Sequence, residues 1–374
     1  MVMDDDDELQ RALYREKYPH AKNGRAKQCF AKPGGFAKCG GVQPRWWSEQ
    51  VFYHRNYLIA SGYEVDLQDC YQFESSSKFN EHLKTSEPDC ILAVHAYRSG
   101  ALLQECTLPF ALVFGGTDLN EHFKIESKMR VMTSVVHKAK YMVTFSKPLY
   151  NQAKHLWPDV SSQLVLQPQA VKTSPDGSFN FVQHLQNSCN IHAEVVIFLL
   201  LAGLRPVKDV LYLTRAFSEW HLEENAVHLV IAGPELDGTY SDQVKQVVNS
   251  LPGVYLLPEM SLAHAHTAIK QSYALLNSSQ SEGMSSTILE AMDLQVPVIA
   301  RDIPGNKAII THGETGLLFN TPMEFIQYAK CLRQDVSFRK QIIQNAKEYL
   351  IKNHSTKKER GTYCRIVAEL ISTH

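Results

Sequence analysis

The sequence predicts an α/β protein built from two doubly wound, parallel-sheet domains facing a cleft. Three observations carry this. The chain has 374 residues, too long for one ordinary core and about right for two. Short, continuous apolar runs alternate along it with segments of helical spacing, the pattern of parallel strands covered on both faces. The alternation pauses once, over 173–192, where TSPDGSFNFVQHLQNSCNIH has Pro, Gly, Ser and Asn and no clean period.

The elements follow in order. Residues 1–45 contain the basic, Gly- and Ala-rich stretch AKNGRAKQCFAKPGGFAKCGGVQPR and no apolar strand, so this segment reads as poorly ordered. A helix is expected after Trp46 and should stop at Gly62, a C-terminal cap. Strands are expected at 63–67, 90–94, 110–114, 141–145 and 164–166, with helices near 76–85, 121–138 and 147–156. Beyond the pause, strands are expected at 195–201, 227–232, 254–257, 274–277 and 296–300. Helices are expected at 207–221, 240–250, 262–269, 285–294, 322–333 and 336–351, and a last one at 357–372. The domains therefore read as 46–187 and 188–353, with 354–374 a terminal helix.

Composition narrows the function. A formal net charge of −1 leaves no broad basic field for nucleic acid or anionic lipid. The acidic opening MVMDDDDELQ lacks the basic start and apolar run of a secretory signal. The longest apolar run, 195–204, is about half of what a membrane-spanning helix needs. Eight dispersed cysteines without a CxxC pair point to reduced thiols and a cytoplasmic protein.

Chemistry concentrates in SEGMSSTILEAMDLQVPVIARDIPGN, residues 281–306. A buried strand should end at Asn277, and a helix should open near Met284. Gly283 lets backbone approach a ligand, and the N–H groups of Met284, Ser285 and Ser286 would face outward as an anion site. Glu282 and Glu290 bracket that site, and carboxylates suit paired sugar hydroxyls. Spacing alone fits equally well a helix capped by Ser281 or Glu282, with Glu290 on a solvated face. Arg205 and Lys208, just after the strand expected at 195–201, would add cations at the carboxyl end of the same sheet. Weighed with the Gly-Glu helix start, that pair favours a ligand site over two solvated side chains.

Together these features resemble the glycosyltransferases of group 1, the GT4-type retaining enzymes. The likeness rests on Glu282 and Glu290, on GLRPVK (203–208), LVIAGPE (229–235) and THGETGLLF (311–319), and more weakly on VFGGTDLNE (113–121). The resemblance implies a GT-B fold with a nucleotide-sugar donor as co-substrate and no metal or other cofactor. It implies that Glu290 holds the ribose and that Gly283, Met284, Ser285 and Ser286 hold the pyrophosphate, in a site whose glycine turns include Gly203 and Gly233. Glu282 would hold the donor hexose, and Arg205 and Lys208 the leaving diphosphate. The acceptor is an unknown hydroxyl compound.

Two departures matter. Where many members read HGTD, this chain has Gly115-Gly116-Thr117-Asp118, leaving His95 and Asp118 as the polar groups of the acceptor side. Members also open with a buried strand and a glycine loop; here no such strand is legible, and only Gly34-Gly35 or Gly40-Gly41 could stand for the loop. These departures keep a second reading open, a nucleotide-sugar-binding protein of little or no activity. His264 and His266 lack a third ligand at metal spacing, and Trp46-Trp47 reads more readily as a domain-edge seal than as a sugar platform.

Overall fold

The computed structural model describes residues 25–30, 47–189 and 195–372. They form two compact units, one running to Gln169 and resuming at Thr356, the other spanning Ala170–Ser355.

The first unit holds β1 (Arg25–Phe30), α1 (Trp47–Ala60), β2 (Glu64–Asp69), α2 (Ser76–Ser86), β3 (Cys90–Val94), α3 (Gly100–Leu103) and β4 (Phe110–Val113). It continues with α4 (Gly116–Asn120), α5 (Glu126–Val136), β5 (Tyr141–Thr144), α6 (Lys147–Leu156) and β6 (Leu164–Leu166). Its six strands are ordered β2-β1-β3-β4-β5-β6, with every pairing parallel. The strand that the sequence did not reveal is therefore present. Arg25–Phe30 lies between β2 and β3, with Ala26 beside both Val65 and Cys90. Its sequence, RAKQCF, carries no apolar run because its partners, not its own composition, define it. Trp46, Gly34-Gly35 and Gly40-Gly41, and the side chain of Trp47, lie outside the described residues.

The second unit holds α7 (Phe181–Cys189), β7 (Val196–Leu201), α8 (Thr214–Glu223), β8 (Val227–Ala232), α9 (Gly238–Asn249), β9 (Val254–Leu257) and α10 (Leu262–Lys270). Then come β10 (Ala274–Asn277), α11 (Ser286–Asp293), β11 (Val298–Arg301), α12 (Pro304–Lys307), β12 (Leu317–Phe319), α13 (Pro322–Gln334) and α14 (Val336–Asn353). Strand order is β12-β11-β10-β7-β8-β9, again all parallel. Side chains alternate across β7: Ile197 and Leu199 join one core with Ile288, Leu289 and Met292, while Phe198 and Leu200 join another with Phe217, Trp220 and Phe325. Both faces are covered, so the strand reads as an unbroken apolar run.

The boundary between units falls at Gln169–Ala170, not at 187–188. The pause in the pattern conceals α7, whose Phe181 and Leu185 belong to the same core as Leu199 and Ala268 of the second unit. A nine-residue helix with two buried apolar positions is too short to show a clear period. The last helix, α15 (Thr356–Ser372), packs in the first unit, where Glu359, Tyr363, Ile366, Val367 and Leu370 are buried.

Candidate active site

The loops that follow β7, β8, β10 and β11 are held together by main-chain contacts at the carboxyl end of the second sheet, where open α/β sheets bind ligands. Gln280 N–H donates to Val207 O at 2.9 Å, and Ser278 Oγ to Lys208 O at 3.0 Å. Arg301, closing β11, reaches Asp209 at 2.8 Å and lies over the Tyr212 ring at 4.0 Å. Gly203 and Gly233 supply close approach between the β7 and β8 loops. A Cβ on Gly233 (φ +156°) would sit 2.1 Å from Ala202 O, and one on Gly203 would sit 2.4 Å from Leu236 Cδ1. These two glycines shape the wall of the site through packing.

Glu282 is the hub. Lys208 Nζ pairs with its Oε1. Ser279 Oγ donates to the same oxygen at 2.7 Å, and Asn277 Nδ2 approaches it at 3.4 Å. Burial alone would raise this carboxyl; Lys208 and the hydrogen bonds outweigh it and hold Glu282 below the usual carboxylate range. The ion pair is mostly buried, with side chains 18% and 12% exposed. Arg205 differs: its Nε is buried, and its guanidinium makes no hydrogen bond or ion pair with a described residue.

The helix start is not capped by Ser281 or Glu282. Ser285 is the N-cap of α11, with extended backbone, and its side chain makes no capping bond. No described residue accepts from the main-chain N–H of Met284, Ser285 or Ser286. The opening lies one to two residues later than the spacing suggested, because Met284 packs against the core before the helix begins. Glu290 is 2% exposed, so it does not lie on a solvated face. Its Oε2 lies 3.9 Å from Nε2 of His266, which is also buried.

Two residues that carried no sequence signal of their own complete the floor. A Cβ on Gly305 would fall 2.2 Å from Glu282 O, so the α12 turn lies directly on the Glu282 backbone. Asn306, fully buried, donates to Asn277 Oδ1 at 3.1 Å and Arg301 O at 3.0 Å. Only the Pro-Gly pair at 304–305, a turn signal, marks this place in the sequence.

In the first unit, Asp118 and His95 meet at the ends of β3 and β4. Asp118 is fully buried. Its Oδ2 accepts from the N–H groups of Ala96 and Gly115, both at 2.8 Å, and its Oδ1 from Tyr97 N–H at 3.2 Å. His95 Nδ1 lies 3.3 Å and His122 Nδ1 3.4 Å from the carboxylate. Burial opposes ionisation here, but the two imidazoles and the Gly115 N–H outweigh it, holding Asp118 well below the usual carboxylate range. His95 has φ +71° and its ring covers Gly115: a Cβ there would lie 2.0 Å from His95 Cε1. The imidazole thus fills the space of the missing side chain at 115.

His264 and His266 do not converge. His264 stacks on Phe179 at 4.0 Å and faces Asp176 at 3.3 Å, whereas His266 turns inward to Glu290. No cluster of three metal-ligating side chains exists among the described residues, and none of their helices is long and apolar enough to cross a membrane.

The family model for glycosyl transferases group 1 matches residues 183–349. Glycosyltransferase 1 domain-containing protein 1 of Xenopus tropicalis is 42% identical over 319 residues, spanning 84% of this chain and 92% of the relative. Among solved structures, HepE of Anabaena in complex with UDP-glucose superposes with a TM-score of 0.71 at 15% identity, covering 93% of this chain and all of that one. Sucrose-phosphate synthase of Thermosynechococcus elongatus gives 0.72 at 15% identity, covering 94% of this chain and all of that one. The two parallel-sheet units are thus those of the GT-B fold, and the chain belongs to the glycosyltransferases of group 1.

Proposed function

We propose that this glycosyltransferase transfers a hexose from a nucleotide sugar to an acceptor hydroxyl, with retention at the anomeric carbon and without a metal. The observation that carries the reading is the α11 start. Three main-chain N–H groups have no acceptor among the described residues, in the segment whose neighbour Glu282 is bound to Lys208. Such amides, with Arg205 in the loop after β7 unpaired among the described residues, suit a diphosphate.

In this reading Gly283, Met284, Ser285 and Ser286 hold the diphosphate by backbone, and Arg205 and Lys208 offset the charge that develops as it leaves. Glu282 exchanges its bonds with Lys208 and Ser279 for hexose hydroxyls. Glu290 accepts from the ribose diol. His95, braced by Asp118, serves the acceptor side, and the acceptor proton passes to a donor phosphate oxygen. Holding donor and acceptor together supplies much of the rate. HepE binds UDP-glucose, which makes uridine donors the first to try.

The rival reading, a nucleotide-sugar-binding protein without turnover, drew on an absent first strand and on Gly115. With Arg25–Phe30 in the sheet and His95 over Gly115, both supports weaken. Incubation with UDP-, GDP- and ADP-sugars and a panel of hydroxyl acceptors tests the proposal. Release of the matching nucleoside diphosphate is expected. Binding without release across the panel supports the rival, and neither binding nor release overturns both.

A further inference from the structure

We infer that His266 is a positioning residue for Glu290, presenting an Nε2–H that fixes the carboxylate for the ribose diol of a nucleotide. The inference rests on the reading of Glu290 given above and adds to it a residue outside the ligand's reach.

The tautomer follows from the hydrogen bonds. Ser174 N–H donates to His266 Nδ1 at 3.0 Å, so Nδ1 is an acceptor. The neutral ring must then carry its proton on Nε2, the atom that faces Glu290. Doubly protonated imidazole would set two donors against each other at Ser174. Burial, the largest influence, also keeps His266 below the ordinary imidazole value and outweighs the raising effect of Asp293. Asp293, one turn along α11 from Glu290, is itself occupied by Lys347 at 2.7 Å and Thr173 Oγ1 at 2.5 Å.

His266 is 1% exposed, and its Nε2 makes no hydrogen bond to a described residue. A buried N–H left so is costly, which favours its pairing with a nearby acceptor. The nearest carboxylate oxygen, Glu290 Oε2, is 3.9 Å away, about 1 Å beyond a hydrogen bond. A small rotation of Glu290 closes that gap. A carboxylate has about four lone-pair directions, enough to accept from His266 and from both hydroxyls of a ribose at once. His266 therefore restrains the carboxylate from the Oε2 side, and part of the cost of ordering it falls on the fold rather than on the ligand.

Asparagine and glutamine separate the two ring nitrogens. His266→Asn keeps an acceptor near Nδ1 for Ser174 and loses the donor; His266→Gln keeps a donor near Nε2 and loses the Ser174 bond. The readout is the ratio of Kd for a 2′-deoxynucleoside diphosphate to that for its ribo form, using UDP, ADP and GDP and their deoxy forms. A ratio of about tenfold is expected for the wild type, from one lost hydrogen bond to a charged group. His266→Asn should bring it close to one, and His266→Gln should retain most of it. Glu290→Ala is the control for the underlying reading. If Glu290→Ala keeps the full ratio, Glu290 does not grip the ribose and the site reading fails. If Glu290→Ala loses the ratio while His266→Asn keeps it, the inference alone is overturned. Equal losses in the Asn and Gln variants also overturn it, because they follow the Ser174 segment or the fold instead of the Nε2 donor.

Discussion

The imidazole of His95 occupies the space that any side chain at position 115 would need, with Cε1 only 2.0 Å from where a Gly115 Cβ would stand. The ring is 3% exposed and hangs from a backbone with φ +71°, so it has little room to yield. Gly115→Ala should therefore cost about 3 kcal/mol, at the upper end of overpacking. Adding His95→Ala to that variant should recover much of the loss, a non-additivity that urea unfolding of the two single variants and the double variant would reveal. Additive costs would mean that the two residues do not compete for one space.

Asp118 ties the ends of β3 and β4 by accepting from Ala96, Tyr97 and Gly115. Asp118→Asn removes the charge and puts an NH2 group against N–H donors. A loss of about 3 kcal/mol in unfolding free energy is expected, as for a broken buried charge network. An asparagine variant of wild-type stability would remove the clamp from the structural description.

Lys208 and Glu282 are partners before any ligand arrives. Lys208→Ala should lower turnover on the order of 10²-fold, with a smaller loss in nucleotide binding, since its charge matters most as the diphosphate departs. Glu282→Ala should also lower turnover, yet it frees Lys208, so affinity for a nucleoside diphosphate without a sugar should rise. Titration calorimetry with the diphosphate reads the sign directly, and a fall in affinity would place Glu282 in support of the diphosphate instead.

His228 on β8 gives a pH dependence remote from the site. Its imidazole is buried with neither ring nitrogen bonded to a described residue, and burial, with help from His221, pulls it from 6.5 to about 4. At pH above 6.5 both folded and unfolded forms are neutral, and nothing is lost. As pH falls from 6.5 toward 4 the unfolded chain takes up a proton that the folded chain refuses, so stability declines, by at most about 3 kcal/mol. Urea midpoints across this window should fall in the wild type and flatten in His228→Phe; parallel slopes would refute the assignment.

How much of this was legible follows from the kind of signal each part carries. Strands such as 90–94 and 227–232 are buried on both faces, so their residues alone declare them. Arg25–Phe30 is central too, yet its polar letters gave nothing to read; its pairing with β2 and β3 defines it. The Leu317–Phe319 strand was read only as part of a family motif, because three residues cannot show a period. At the site, Glu282, Lys208 and Arg205 were visible as charge at strand ends. His266, Gly305 and Asn306 were not, since each acts through a contact made only in three dimensions.

The central claim is that the amides opening α11 receive a diphosphate. Hydrogen–deuterium exchange with and without saturating nucleoside diphosphate tests it most directly. Slowed exchange in peptides covering 283–288, reduced in Lys208→Ala, is the expected result. Unchanged exchange there while the nucleotide is demonstrably bound would contradict it.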